Sequence, residues 1–315
     1  MIQILAGQTF IMFLMVLVGY VIFRTHLSDH EGNRTISNML LMVVTPAMLL
    51  NAMFSIEYSK AVARGFLISI VLGFLAHFAM IAVAMLLLGR KDSHPDIGIE
   101  RYLAVYSNCG FMAIPLVSAV FGSEAVLYLS GYMIAFNILT WTHGLVEITG
   151  RTSLKQLAKG LMSPTVICSV IGIAGFFLQI PMEKHVMQAI SYVGAMNTPL
   201  GMIVAGCVLA ETGLAGVRKR PRLFLITLFK LVIAPMVTCL LLILARKVVW
   251  FDDNLFYAML IPSACPTATT ATMMALRYDK DFEYSNQQVV VSTLFSMVTI
   301  PLMAGAARFL GTVMK

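Results

Sequence analysis

The chain has 315 residues, 59% of them hydrophobic and 12% charged, with a mean hydropathy of +0.87 and a formal net charge of +7. Soluble domains carry about 45–50% apolar and about 25% charged residues, so this composition excludes a soluble enzyme and describes a polytopic membrane protein. Almost every residue falls inside or beside an apolar run of spanning length, about 20 residues, and no separate soluble domain fits.

Ten apolar runs can be marked in chain order, each bounded by charges or turn residues: roughly 4–23, 35–56, 62–88, 99–121 and 125–147, then roughly 161–180, 185–210, 222–245, 254–276 and 286–310. The first could pass for a signal peptide. No Lys or Arg precedes Arg24, however, and the run exceeds a typical h-region, so it reads as the first spanning helix. The longest polar connection, Thr149 to Gly160, carries Arg151, Lys155 and Lys159 and reads as a linker between halves. The expected units are a first five-helix repeat at 1–148, a cytoplasmic linker at 149–160 and a second five-helix repeat at 161–315.

Charge orients the molecule. The connections after runs 1, 3, 5, 7 and 9 hold fourteen Lys and Arg, against seven on the opposite side. Cytoplasmic loops are enriched in Lys and Arg, which puts both termini outside the cytoplasm of a plasma or inner membrane. The net charge is then a topology signal, with some attraction to anionic lipid, and calls for no nucleic-acid partner.

The halves repeat. Thr45-Pro46 in the second run corresponds to Thr198-Pro199 in the seventh at an offset of 153, Pro115 to Pro266 at 151, and Arg90-Lys91 to Arg246-Lys247 at 156. Chance is the competing account, since the chain has 11 prolines; recurrence of the dipeptide in the same element order argues against it. A unit of five spans, an odd number, inserts its second copy upside down, which predicts an inverted repeat.

Runs 4 and 9 are interrupted at matching places, around Asn108-Cys109-Gly110 to Pro115 and around Pro262 to Pro266-Thr267-Ala268-Thr269-Thr270. With no water in the bilayer core, a broken backbone survives there only when buried or lining a cavity, and a matched pair of breaks points to a transporter binding site. Each break frees the N–H groups that start the next half-helix, a positive dipole end suited to an anion. Neutral side chains stand around both breaks: Ser107 and Asn108 in run 4, and Ser263, Thr267, Thr269, Thr270 and Thr272 in run 9. Asn108 can donate two hydrogen bonds and accept others; the plainer account makes it a packing residue between helices. Pro46 with Asn51, and Asn197-Thr198-Pro199 with Gly201, mark kinks that frame the same cavity or merely shape packing. Asn137 and Trp141 lie four apart on one face of run 5 and are also candidates.

Ionisable residues within the spans are few: His77, Lys230, and His143 with Glu147 one helical turn on. Each is a candidate coupling residue because charge in lipid is costly, although Lys230 could snorkel and His143 could simply pair with Glu147 at the interface. Neither break contains Asp or Glu, the expected ion ligand and proton carrier of a cation/proton antiporter. The five cysteines all fall within spans without a CxxC pair and read as small buried residues.

The stretch Tyr106-Ser107-Asn108-Cys109-Gly110-Phe111-Met112-Ala113-Ile114-Pro115-Leu116 resembles the SN-x-GFMGIPL signature of the auxin efflux carrier family, with Ala113 in place of Gly. That family includes plant auxin exporters and bacterial carriers assigned to malonate, malate and related acids. Met196-Asn197-Thr198-Pro199-Leu200, Ala275-Leu276-Arg277-Tyr278, Ser292-Thr293-Leu294-Phe295-Ser296 and Thr299-Ile300-Pro301-Leu302 extend the likeness over the whole chain. The resemblance implies an all-α fold of ten transmembrane helices in a 5+5 inverted repeat, like that of sodium/proton antiporters, with broken helices 4 and 9 crossing and a crossover domain that moves. It implies that Asn108 contacts the substrate carboxylate. The plant members' long cytoplasmic loop is replaced by the short linker, and their second Pro in segment 9 falls at Ala271.

Together these readings predict a secondary transporter of small organic anions, mono- or dicarboxylates of auxin or malonate type, working by elevator-type alternating access. No cofactor or metal is expected. Coupling to protons or sodium and assembly as a homodimer are left open. The alternative is a cation-coupled symporter of another small solute; an intramembrane enzyme is set aside because no Asp lies deep in any span and His77 has no evident partner.

Overall fold

The computed structural model describes residues 1–89, 96–150, 162, 164–213, 217–278 and 280–313, which are almost entirely helical. Most of the expected linker and the Arg90-Lys91 landmark, with Arg151, Lys155, Lys159 and Lys315, lie outside the described residues. The principal helices are α1 (Ile2–Arg24), α2 (His30–Phe54), α3 (Lys60–Leu87), α4 (Ile97–Val105), α5 (Cys109–Thr149), α6 (Pro164–Leu178), α7 (Lys184–Thr212), α8 (Pro221–Arg246), α9 (Asp253–Ala264), α10 (Thr270–Arg277) and α11 (Phe282–Val313).

Among the described residues, seven of these (α1, α2, α3, α5, α7, α8 and α11) are long and apolar enough to cross a membrane. The ten predicted runs do not become ten uninterrupted helices. The fourth splits into α4 and the start of α5, and the ninth into α9 and α10. The boundary expected between runs 4 and 5 is a bend inside the 41-residue α5, where Gly122 takes φ 76° and ψ −169°, a conformation that glycine alone adopts freely.

Helix starts near the polar connections are capped by their own side chains. Asp29, Ser59, Glu183, Asp252 and Asp281 accept from the N–H groups of Gly32, Val62, Val186, Leu255 and Tyr284 at 2.8–3.1 Å, which satisfies donors a helix start otherwise leaves orphaned. The starts of α5 and α10, inside the broken runs, carry no side-chain cap.

Among the described residues, four π-helical turns interrupt or begin the long helices, at Leu40–Val44, Cys109–Ala113, Thr140–Gly144 and Phe229–Ile233. Three precede a proline by two residues: Pro46, Pro115 and Pro235. A proline ring clashes with the carbonyl four residues back, which falls in the middle of each turn, at Met42, Phe111 and Leu231; widening the turn relieves the clash. Thr140–Gly144 has no proline behind it.

Packing inverts the pattern of a soluble protein. On α3 the exposed stripe is Leu67, Val71, Leu75 and Phe78, while Ser69 and His77 are buried, as expected when lipid is the outer solvent. α1 runs along α7, α2 packs on α6 and the first part of α7, α3 on α5, α9 on α5 and α8, and α10 on α11. The α1–α7 contact is backbone to backbone. A Cβ added at Gly19 would lie 2.0 Å from the Ile203 carbonyl oxygen, and one at Gly206 would lie 2.0 Å from that of Val16.

Candidate functional site

The two breaks touch each other. Between α4 and α5 the chain runs extended through Tyr106 and Ser107, and between α9 and α10 through Cys265 to Thr267. The two stretches pair antiparallel as a single bridge, Ser107 opposite Thr267. The Asn108 N–H donates to the Pro266 carbonyl at 2.7 Å, and the Ala268 N–H to the Tyr106 carbonyl at 3.0 Å. Ser292 of α11 accepts the Thr267 N–H at 3.1 Å, and the Thr267 hydroxyl donates to the Leu103 carbonyl at 2.9 Å. Each broken run thus supplies the hydrogen-bond partners the other lacks, as backbone at this depth requires.

Lys230, in the π turn of α8, closes the back of this crossing. It has no exposed surface. Its Nζ donates to Ser107 Oγ at 2.5 Å and to the carbonyls of Val105 and Ser263 at 3.3 and 3.2 Å. Those carbonyls end α4 and α9, the negative ends of two helix dipoles. One ammonium therefore ties both half-helices together, and Lys230 does not snorkel.

In front of the crossing is a cavity of about 70 Å³ lined by Asn108, Gly110, Asn137, Thr269 and Thr270 with Thr45 and Thr165; among the described residues no charged side chain lines it. The uncapped starts of α5 and α10 meet here. A larger cavity of about 380 Å³ shares Leu41, Phe111 and Thr269 with it and extends to His30, Arg34 and Glu211, with His30 paired to Glu211 at 2.6 Å across its mouth. Asn197 of α7 completes the small cavity's frame without lining it: its amide donates to the Gly110 carbonyl at 2.9 Å, and its carbonyl oxygen accepts from Thr45 Oγ1 at 2.9 Å. One side chain thereby joins α2, α7 and α5.

The remaining candidates stand apart. Pro115 is near the start of the helix that follows the first break, and Pro46 and Pro262 are buried within their helices. Ser263 turns its hydroxyl back to the Leu260 carbonyl. Asn51, Thr198 and Pro199 line neither cavity. His77 donates through Nδ1 to the Gly73 carbonyl at 2.7 Å and packs at a tilt against Tyr132 with centroids 4.5 Å apart. His143 reaches the crossing through Tyr106: its Nδ1 lies 3.1 Å from the Tyr106 hydroxyl, and its Nε2 lies 3.7 Å from a Glu147 carboxylate oxygen. Arg101 holds the other Glu147 oxygen at 3.4 Å.

Sequence reasoning missed Ser292 and Thr165 as site neighbours, and it counted Arg101 and Arg222 as loop charges. Arg101 is buried, and Arg222 forms a two-pronged pair with buried Glu100, which also accepts from the Tyr284 hydroxyl at 3.1 Å. The partners lie 46 to 184 positions apart, beyond the reach of local pattern.

Comparison with known proteins gives the family. The profile of the family described as membrane transport protein matches residues 5–304. An uncharacterized transporter of Methanothermobacter thermautotrophicus is 22% identical over 294 residues, covering 91% of this chain and 93% of that protein. The uncharacterized transporter MJ1031 of Methanocaldococcus jannaschii is 22% identical over 309 residues, covering 93% and 95%. With the crossing, the uncapped half-helices and the apolar helices, these matches lead to one conclusion: the chain belongs to the membrane transport protein family, of auxin efflux carrier type, and is a multi-pass transporter rather than an enzyme.

Proposed function

We propose that the protein is a secondary transporter of small organic anions, mono- or dicarboxylates, working by alternating access in a cell membrane. One observation carries the reading. Two uncapped half-helix starts and the amides of Asn108 and Asn137 border one small cavity that has no carboxylate among the described residues. Dipole ends and neutral donors favour an anion, and a cation would find no charged ligand there. The substrate carboxylate sits against Asn108 and the Thr269-Thr270 start of α10, and the rest of the molecule extends into the larger cavity toward Arg34.

In this reading the two halves form a 5+5 inverted repeat on an antiporter-like fold. The α1, α2, α6 and α7 group is the frame, and the group carrying the crossing moves against it in elevator fashion. The Asn197 to Gly110 hydrogen bond spans the sliding surface and breaks and re-forms in each cycle. Both termini lie outside the cytoplasm, so the larger cavity opens to the cytoplasm.

The test is a thermal-shift comparison of purified protein with ionised carboxylates and with neutral amides of the same shape. Stabilisation by acids alone is expected. Equal stabilisation by the amides, or none by any acid, contradicts the reading.

A further inference from the structure

We propose that a recess between α8 and α11, with Arg218 and Lys219 at its mouth, is a binding site for one anionic phospholipid; the inference goes beyond the carrier reading and does not depend on it. The recess has a volume of about 700 Å³ and is lined by Val217, Phe224 and, on α11, Val291, Leu294, Phe295 and Val298. Those four α11 residues follow the i, i+3, i+4, i+7 spacing of a single helix face. Val217 and Val291 are buried and Leu294 is half-buried, while Phe224, Phe295 and Val298 are exposed. The recess therefore has a closed apolar floor and open apolar sides. Arg218 is the one charged side chain lining it among the described residues.

Charge at one end names the ligand. Arg218, Lys219, Arg220 and Arg222 stand together just before the apolar span of α8. Two of them are neutralised within the protein. Arg220 pairs with Asp281 at 3.1 Å and reaches Glu283 at 3.8 Å, and Arg222 pairs with Glu100 at 2.7 Å. Arg218 and Lys219 are exposed, and no carboxylate among the described residues pairs with either. Two unneutralised cations at the mouth of an apolar recess complement an anionic head on an apolar tail, and basic pockets between spanning helices hold such headgroups. A soluble anion would leave the apolar lining unused, and a zwitterionic lipid would bring its own cation to Arg218 and Lys219.

The depth fits as well. The Arg220–Asp281 pair and the Gln288 amide donating to Thr227 Oγ1 at 3.1 Å bring the starts of α8 and α11 level. The cations therefore lie at the membrane surface, and the α11 stripe runs from it into the hydrocarbon, where acyl chains are the solvent. The bound chain lies against Val291, next in sequence to Ser292, which accepts the Thr267 N–H of the second break. It fills the gap between α8 and α11 on the side away from the crossing and holds α11 where it supports that break.

The experiment titrates delipidated protein in detergent with phosphatidylglycerol and with phosphatidylcholine of the same acyl chains, and native mass spectrometry counts the lipids bound. Each cation near the surface is worth about fivefold toward an anionic lipid, so wild type should prefer phosphatidylglycerol by roughly tenfold or more. Arg218→Gln combined with Lys219→Gln should remove most of that preference. Lys184→Gln combined with Lys247→Gln, which takes the same charge from exposed positions at the opposite end, should keep it. Leu294→Trp fills the recess and should weaken phosphatidylglycerol by roughly fourfold or more, the worth of one displaced methylene. Equal binding of the two lipids by wild type overturns the proposal, as does a preference that survives the Arg218 and Lys219 changes or falls as far with the control pair. Displacement of the lipid by an equal concentration of glycerol 3-phosphate marks a site for the phosphate alone and also overturns it. Should Leu294→Trp fail to fold, the charge variants decide the matter, since both their positions are exposed.

Discussion

Among the described residues Lys230 donates to three oxygens and to no carboxylate, which makes it the most informative single residue in the chain. A buried ammonium is tolerable only when its donors are used, and here they satisfy the carbonyls that two broken helices leave over. Replacing it with Met, of similar length, orphans those acceptors. Since each costs about 1–3 kcal/mol when left without a donor, Lys230→Met should lose about 2–4 kcal/mol of stability in a denaturation series; a loss under about 0.5 kcal/mol would show that the ammonium is not needed there. The sequence marks Lys230 as exceptional, because an ionisable residue inside a span always is. It does not reveal the partners, which come from α4 and α9. Asn108 was legible for the opposite reason: its neighbours in sequence, Gly110 and Pro115, are themselves the break. Asn51 and Thr198 looked equivalent by proximity to proline, yet line neither cavity.

Among the elements, the runs were legible because hydrophobic length is nearly all that lipid demands of a helix. Their internal breaks were only half legible. Proline announces the π turns before Pro46, Pro115 and Pro235, but nothing in local sequence announces the one at Thr140–Gly144, and Gly122 bends α5 where the boundary between runs 4 and 5 was expected. Helix pairing was not legible at all, since it depends on small residues meeting across the chain. Gly206 of α7 is the clearest case. A valine there forces α1 and α7 apart, an overpacking cost of about 1–3 kcal/mol. Gly206→Val should therefore lower the melting temperature in detergent, and an unchanged melting temperature would contradict the close packing described.

At the scale of the whole molecule, the features that matter for transport are contacts between distant parts of the chain. The crossing joins 106–108 to 266–268, and Asn197 reaches from α7 to Gly110. Offset arithmetic paired the breaks as counterparts, and the structure adds that they hydrogen-bond to one another. The absence of Asp and Glu from the breaks, readable at once, gains its weight only when the cavity between them proves to be lined by neutral donors and uncapped helix starts. The central claim is that this cavity holds a carboxylate. Its most direct measurement is uptake of radiolabelled mono- and dicarboxylates into proteoliposomes by wild type and by Asn108→Ala that elutes as a folded protein. The account predicts uptake of at least one acid by wild type and a loss of tenfold or more, about 1.4 kcal/mol, in the variant; unchanged uptake of every acid tested would contradict it.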